Sequence, residues 1–402
     1  MFRFLLFLSP VLVLSIFSVS ASATTLQLSL DDLIRIALGN NPQVEIARQQ
    51  FAGSEGQLTQ ARSRYLPHLA TGADLGRVYV KDLQPVDEDN MVHGLLQVSQ
   101  LIFDFGRTTG LISTSSFNVD ASVENFKQIV HDTVYKVKNS YFSVLEKQQL
   151  ITVAEQAVEN YSSQLYRAQK YYEAGVRTKI DVTNAEVNLS NQRLNLLRAK
   201  SNLKVALIKL ETILGQKPNN GDYQLISDEP ALESLASGKP DLPDSLDNLL
   251  TTAQEYRPGL KQYSLLVNAA DSAVTQAHGD YWPTFNAFCS YHDYETDVAS
   301  LADQWQIGVG LSWEFFSGFE TEGKVTEAKA KLREVQAGLR EYELAVTEDV
   351  TDSFLRAVEN REGVDIASQS LVLAAENLKL ADGRYKAGIG DILEYNDAQL
   401  LY

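Results

Sequence analysis

Two residue periodicities alternate along this chain. Around residue 310 the period is two. Trp305, Ile307, Val309, Leu311, Trp313 and Phe315 alternate with Gln304, Gln306, Gly308, Gly310, Ser312 and Glu314. Strict alternation of that length predicts a strand with one apolar and one polar face. Before it, Phe285, Ala287, Cys289 and Tyr291 alternate with Asn286, Ser290 and His292, interrupted by Phe288 on the polar side. Weaker strands are predicted near 68–82 and 92–104, where Leu96, Val98 and Ile102 alternate with Gln97, Ser99 and Phe103. Leu83–Asn90 and Thr296–Asp303 read as polar tips joining each pair.

Elsewhere the period is helical. Val130, Val134, Val137, Tyr141 and Val144 step by four and three, as do Leu332, Val335, Leu339, Tyr342 and Val346. Such a narrow stripe is a coiled-coil seam rather than a broad globular face. Proline placement allows very long helices over about 107–173 and 319–386, since no proline lies between Pro85 and Pro218 or after Pro283. At ~1.5 Å per residue each would reach roughly 100 Å, a length no globular core needs. A second helix over 178–214 is predicted to return antiparallel and stop at Gly215, ahead of Pro218. Helical segments also open each half, at 29–65 and 245–281. Asp31 and Asp32 supply the acidic charge that a helix N-terminus favours.

The halves repeat one another. Ser29-Leu30-Asp31-Asp32-Leu33 recurs as Ser245-Leu246-Asp247-Asn248-Leu249, and Pro42 as Pro258. Tyr65-Leu66-Pro67 recurs as Tyr281-Trp282-Pro283, and Phe103-Asp104-Phe105-Gly106 as Phe315-Phe316-Ser317-Gly318. Tyr172-Glu173-Ala174-Gly175 recurs as Tyr385-Lys386-Ala387-Gly388. Landmarks kept in one order at nearly one offset indicate duplication. The expected plan is helix, β-hairpin, long helix, return helix, twice. The first repeat is 24–215, with strands about 66–104. The second is 245–402, with strands about 283–316. Residues 216–244, with four prolines, read as the linker between repeats. At the repeat offset Tyr402 matches Leu189. The final return helix is therefore expected to be incomplete, as in a fragment.

Composition narrows the class. With 52 acidic against 35 basic residues and a net charge of −17, nucleic acid is disfavoured as a partner. A single cysteine, Cys289, excludes an intramolecular disulfide framework and a Cys-rich metal site. The five histidines (68, 93, 131, 278, 292) are too scattered to suggest another. Phosphate-loop, nucleophile-elbow and His-Glu-x-x-His motifs are absent from the sequence. Asp87-Glu88-Asp89 lacks the glycine and spaced ligands of a calcium loop and reads as a solvated extracellular loop. No enzyme activity, cofactor or metal is expected.

Met1–Phe2–Arg3, the apolar run Phe4–Phe17 and Ala21-Ser22-Ala23 form a signal peptide over 1–23. After it, no run approaches the length of a membrane helix, so spanning would require a barrel. Four strands cannot close one, but three chains would supply twelve. Tyr79, Phe103, Trp282, Phe285, Trp305 and Trp313 would form its aromatic belts. The fold expected is mainly α with a transmembrane β part: a trimeric twelve-stranded barrel continued by a coiled-coil tunnel. A non-channel periplasmic coiled-coil protein or adhesin is the alternative, and a soluble enzyme a weaker one.

The chain resembles the TolC-type outer-membrane factors over essentially all of its mature length. The marks are Asn40-Asn41-Pro42, Tyr65-Leu66-Pro67, Gln100-Leu101-Ile102-Phe103-Asp104-Phe105-Gly106 and the paired Tyr-x-x-Gly turns. The resemblance implies a homotrimeric exit duct of a tripartite efflux pump or type I secretion system. It implies an outer-membrane barrel set in lipid, and partners in a periplasmic adaptor (membrane fusion protein) and an inner-membrane transporter.

The turns carry the candidate sites. Gly175 and Gly388 follow helix ends, where positive φ is commonly needed. By resemblance Gly175, Val176, Gly388 and Ile389 point into the periplasm and meet the adaptor. Asp181 and Asn184 lie three apart beyond the first turn, and Glu394 and Asp397 three apart beyond the second. In a trimer the latter face would give two carboxylate rings, a cation-selective device. By resemblance these positions form the constricted entrance, with Asp181 and Tyr385 as closing partners. The family often has arginine two residues after the second turn glycine, where this chain has Gly390. Arg177 holds the equivalent place in the first repeat and is expected to supply the positive charge of the closing ion pair.

Overall fold

The computed structural model describes residues 26–79, 88–218, 223–225, 245–296 and 300–402. The signal peptide, most of the loop at 83–90 and most of 216–244 lie outside the described residues. In chain order the elements are β1 (Leu26–Leu28), α1 (Leu30–Asn40), α2 (Pro42–Ser63), β2 (His68–Tyr79) and β3 (Glu88–Phe103). Then come α3 (Arg107–Glu173), α4 (Lys179–Ile213), β4 (Tyr223–Leu225), α5 (Leu246–Tyr256) and α6 (Pro258–Gly279). The chain continues through β5 (Thr284–Thr296), β6 (Ser300–Ser312), α7 (Glu320–Lys386) and α8 (Ile392–Leu401).

The opening helical segment of each half is two helices, not one. Pro42 and Pro258 are the first residues of α2 and α6. Proline has no amide hydrogen to give a preceding turn, so it starts a new helix there. The Asn41 side chain caps α2 and ties the break to the end of α4. Its Oδ1 accepts from the Gln43 amide at 2.8 Å, and its Nδ2 donates to the Ile213 carbonyl at 2.7 Å. The stretch read as linker contributes β4, which pairs in parallel with β1 through Leu26↔Tyr223, Gln27↔Gln224 and Leu28↔Leu225.

The main core sits beside the middle of α3. Leu33 and Ala37 of α1 pack on Val137, Tyr141, Val144 and Leu145 of α3 and on Ala206, Leu210 and Leu214 at the end of α4. The seam positions Val137, Tyr141 and Val144 thus face another helix, as the period required. Gly215 ends α4 with φ +72, and a Cβ there would collide with the Asn40 carbonyl. Gly215→Ala is expected to cost about 1–3 kcal/mol through the left-handed backbone and that clash. Thermal unfolding followed by helical circular dichroism should show the lower midpoint.

Both long helices contain 67 residues, and each starts after two successive left-handed residues. These are Phe105 (φ 52) and Gly106 (φ 97) in one half, Gly318 (φ 61) and Phe319 (φ 70) in the other. A left-handed phenylalanine is costly, so the surroundings must hold it. In the first half Asp104 does so: buried, its Oδ2 accepts from the Thr108 amide at 2.8 Å and from the Thr108 hydroxyl. That caps α3 and fixes the corner where strand becomes helix.

The four long strands form one antiparallel sheet in the order β2-β3-β5-β6. Register puts Leu69, Leu75, Val92, Leu96, Val98, Ile307, Val309 and Leu311 on one face, all exposed. The other face carries Asp74, His93, Gln97, Asn286, Ser290, His292 and Gln306. His93 there contacts Asp74 at 3.0 Å and His292 at 2.9 Å. Phe288 lies on this polar face because its ring covers Gly308 and Gly310, where a Cβ at Gly308 would sit 3.3 Å from it. Glycines in a strand leave backbone for an aromatic to cover.

Three sequence expectations are corrected. β6 ends at Ser312, so Trp313 and Phe315 lie beyond it, with Trp313 Nε1 donating to the Tyr281 carbonyl at 3.2 Å. Trp305 lies within β6 rather than near its end. Glu88 and Asp89 continue the ladder opposite Tyr79 and Val78 instead of forming loop, because pairing satisfies their backbone groups. Phe103, Trp282 and Phe285 gather at one end of the sheet, where Phe105 stacks on Trp282 at 5.2 Å and meets Phe103 at 4.7 Å, whereas Tyr79 ends β2 at the other. No described helix is long and apolar enough to cross a membrane.

Candidate functional site: the tips of the helical hairpins

Each long helix turns into its successor through a tight glycine turn. Gly175 has φ +73, and the Val176 and Arg177 amides both donate to the Tyr171 carbonyl. Gly388 has φ +75, and the Ile389 and Gly390 amides both donate to the Arg384 carbonyl. These bonds satisfy carbonyls that a helix end leaves open. The next residues out, Val176 and Ile389, are 68% and 73% exposed. An apolar side chain therefore stands at each tip.

The return helices are capped by acids. Asp181 Oδ2 accepts from the Thr178 amide at 3.0 Å and the Thr178 hydroxyl at 3.1 Å. Asp391 accepts from the Ile392 amide at 2.6 Å. Carboxylates at helix N-termini also meet the positive end of the macrodipole. Asn184, one turn along, is exposed.

Side chains from the two hairpins meet just above these turns. Tyr385, Ile392 and Tyr395 of the second hairpin form a small buried cluster with Tyr171 of α3 beside it. The Tyr385 and Tyr395 rings stack at 5.6 Å, and Tyr171 meets Tyr385 edge-on at 6.3 Å. Arg167 of α3 donates to the Tyr395 hydroxyl at 3.2 Å, pairs with Asp382 at 3.4 Å and lies over the Tyr395 ring. Gln164, buried, donates to Asn396. Burial pushes the Tyr385 phenol above its ordinary pKa, with Arg177 and Arg167 pulling the other way. Burial also opposes the charge on Arg167, but its bond to Tyr395 and the Asp382 carboxylate outweigh that and raise its pKa.

Arg177 does not form the expected ion pair. Its guanidinium reaches the Gly390 carbonyl at 3.5 Å and lies 5.5 Å from the Tyr385 ring centre. Among the described residues it pairs with no carboxylate, because Asp181 is turned to its own helix cap. Gly390 is buried, and a Cβ there would press on Arg384 and the Tyr385 amide at 3.0 Å. Position 390 therefore has no room for a side chain in this packing, and Arg177 comes to its carbonyl from the other hairpin. Tyr385 meets the first hairpin through Arg177 and Tyr171 rather than through a bond to Asp181, which acts on it only as a nearby charge.

Glu394 pairs with Arg384 across the turn at 2.9 Å, both side chains about half exposed. Asp397, also exposed, makes no hydrogen bond or ion pair among the described residues. Sequence reasoning missed Arg167, Gln164, Asp382, Tyr395 and Arg384. The available signal was Gln164, Arg167 and Tyr171, spaced three and four apart on one face of α3.

Similarity to known proteins extends over nearly the whole chain. The family model described as Outer membrane efflux protein matches residues 33–216 and 249–402. Outer membrane protein TolC of Salmonella enteritidis is 23% identical over 379 residues, 89% of this chain and 73% of its own length. Outer membrane efflux protein BepC of Brucella suis is 22% identical over 322 residues, 78% of this chain and 67% of its own. The solved CmeC outer membrane channel of Campylobacter jejuni superposes with a TM-score of 0.81 at 18% identity, covering 92% of this chain and 79% of its own. A non-channel coiled-coil protein or a soluble enzyme has no place in that set. Because the match runs through both halves, from the first helix to the second hairpin, the chain belongs to the outer membrane efflux protein family, channels of the outer membrane that reach into the periplasm and are not enzymes.

Proposed function

We propose that three copies of this chain form the outer-membrane exit duct of a tripartite efflux pump or type I secretion system. The observation that carries this is the sheet. Among the described residues β2 and β6 each pair on one side only, and one face carries exposed apolar side chains on β2, β3 and β6, among them Leu69, Leu75, Leu96, Val98, Ile307 and Val309. Long flat edges beside an apolar face are an aggregation hazard in water. Joining β6 of one copy to β2 of the next removes all edges at twelve strands, with the apolar face in lipid and the polar face lining the lumen. The 67-residue helices continue the tube into the periplasm, and the hairpin tips form its entrance.

In this reading Asp181, Asn184, Glu394 and Asp397 line the constriction. Tyr385, Arg177 and Arg167 hold the two hairpins together and keep the entrance narrow. Gly175, Val176, Gly388 and Ile389 form the surface for a periplasmic adaptor, which links the duct to an inner-membrane transporter. Val176→Asp with Ile389→Asp is expected to abolish co-purification of the adaptor from native membranes while leaving the heat-sensitive trimer intact on gels. Undiminished co-purification would remove the tips from the interface.

A further inference from the structure

We infer that Arg384 is a specificity-determining residue of the entrance: it neutralises Glu394 within the same hairpin and so sets how strongly the mouth selects cations. The inference rests on the reading that this face lines the entrance. Between residues 382 and 397 the second hairpin tip carries four acids (Asp382, Asp391, Glu394, Asp397) and two bases (Arg384, Lys386). Three of those acids are already engaged. Asp382 lies between Lys386 at 2.5 Å and Arg167. Asp391 caps α8. Glu394 takes Arg384 at 2.9 Å. Only Asp397 is left without a partner among the described residues.

Two features make the Arg384–Glu394 pair a property of the hairpin itself. The turn glycines bring the last turn of α7 against the first turns of α8, and Gly390, packed on the Arg384 backbone, holds that approach. Both partners belong to one hairpin, whereas Arg167 and Arg177 reach from the other. If the hairpins swing apart, the Arg167 and Arg177 contacts break but the Arg384–Glu394 pair travels as a unit. The compensation therefore persists in both the narrow and the wide entrance. A half-exposed ion pair contributes little to folding, so its removal should leave the fold intact. Its effect on passing ions is larger, because three copies of the changed charge converge on one mouth.

The test is the reversal potential of the full-length trimer in planar bilayers under a KCl gradient at low ionic strength. Arg384→Gln is expected to raise the cation-to-anion permeability ratio about two- to fivefold, since three uncompensated carboxylates act within a Debye length of the path. Glu394→Gln should lower the ratio. The double variant should return close to the wild-type value, and Arg384→Lys should stay there. Retention of the trimer band on gels checks folding. If Arg384→Gln leaves the ratio unchanged while Asp397→Asn or Glu394→Gln moves it, the inference is overturned and the acidic entrance stands. If none of the single variants moves it, the acidic entrance itself fails and the inference with it.

Discussion

Replacing Arg167 with alanine is expected to raise the single-channel current of the reconstituted protein severalfold. Arg167 binds two side chains of the opposite hairpin at once, Tyr395 through its hydroxyl and ring, and Asp382 through its carboxylate. Truncation leaves the buried Tyr395 without that donor and Asp382 with Lys386 as its remaining cation. Hydrogen bonds made by a charged group are worth about 1.5–3 kcal/mol, and the partly exposed Asp382 pair adds less. A loss of about 1–2 kcal/mol from the narrow state alone shifts the narrow-to-wide ratio by about 5- to 30-fold. Arg167→Lys keeps the charge but not the planar fork, so its current should fall between the two. An unchanged current from a normally assembled Arg167→Ala trimer would show that the hairpins are held by other contacts. The raised pKa of the Tyr385 phenol adds a pH dependence. Its folded value lies above the unfolded one, so its contribution is complete below the ordinary tyrosine pKa and is lost as pH rises through the folded value. Channel current should therefore be steady around neutrality and rise only in strong alkali.

Ile307→Arg should prevent stable insertion. Ile307 sits near the middle of β6, 84% exposed, on the face shared with Val309, Leu311 and Val98. If that face meets lipid, an arginine near the bilayer midplane costs about 2–4 kcal/mol per chain, and a trimer bears it three times. Outer-membrane fractions should then hold little of the variant, and the trimer band should be weak or missing. Gln306→Arg, one residue along on the polar face, should insert normally. Equal insertion of both variants would remove the assignment of faces.

The elements with a strong period were legible before any coordinates. The α3 stripe Val137, Tyr141, Val144 and the twelve-residue alternation in β6 each follow from one geometric rule, and both long helices fall within a residue of their predicted spans. The positive-φ turns were legible because glycine placement is itself a backbone signal. What escaped depends on neighbours that no local pattern specifies. The pairing of β1 with β4 joins segments nearly 200 residues apart. Phe288 breaks the alternation because Gly308 and Gly310 on the next strand lie beneath its ring. At the tips, the pairing within one chain differs from the expected one. Arg177 meets a ring and a carbonyl while Asp181 is committed to Thr178, and Glu394 meets Arg384 across its own turn. Capping is a short-range bond formed with the helix, so it takes precedence over a longer reach between hairpins.

The most direct measurement of the central claim is single-channel recording of the purified protein in a planar bilayer. The account predicts discrete, uniform conductance steps with preference for cations, produced by the trimeric, heat-sensitive species. A folded trimer that yields no steps, or conductance from monomeric material alone, would contradict it.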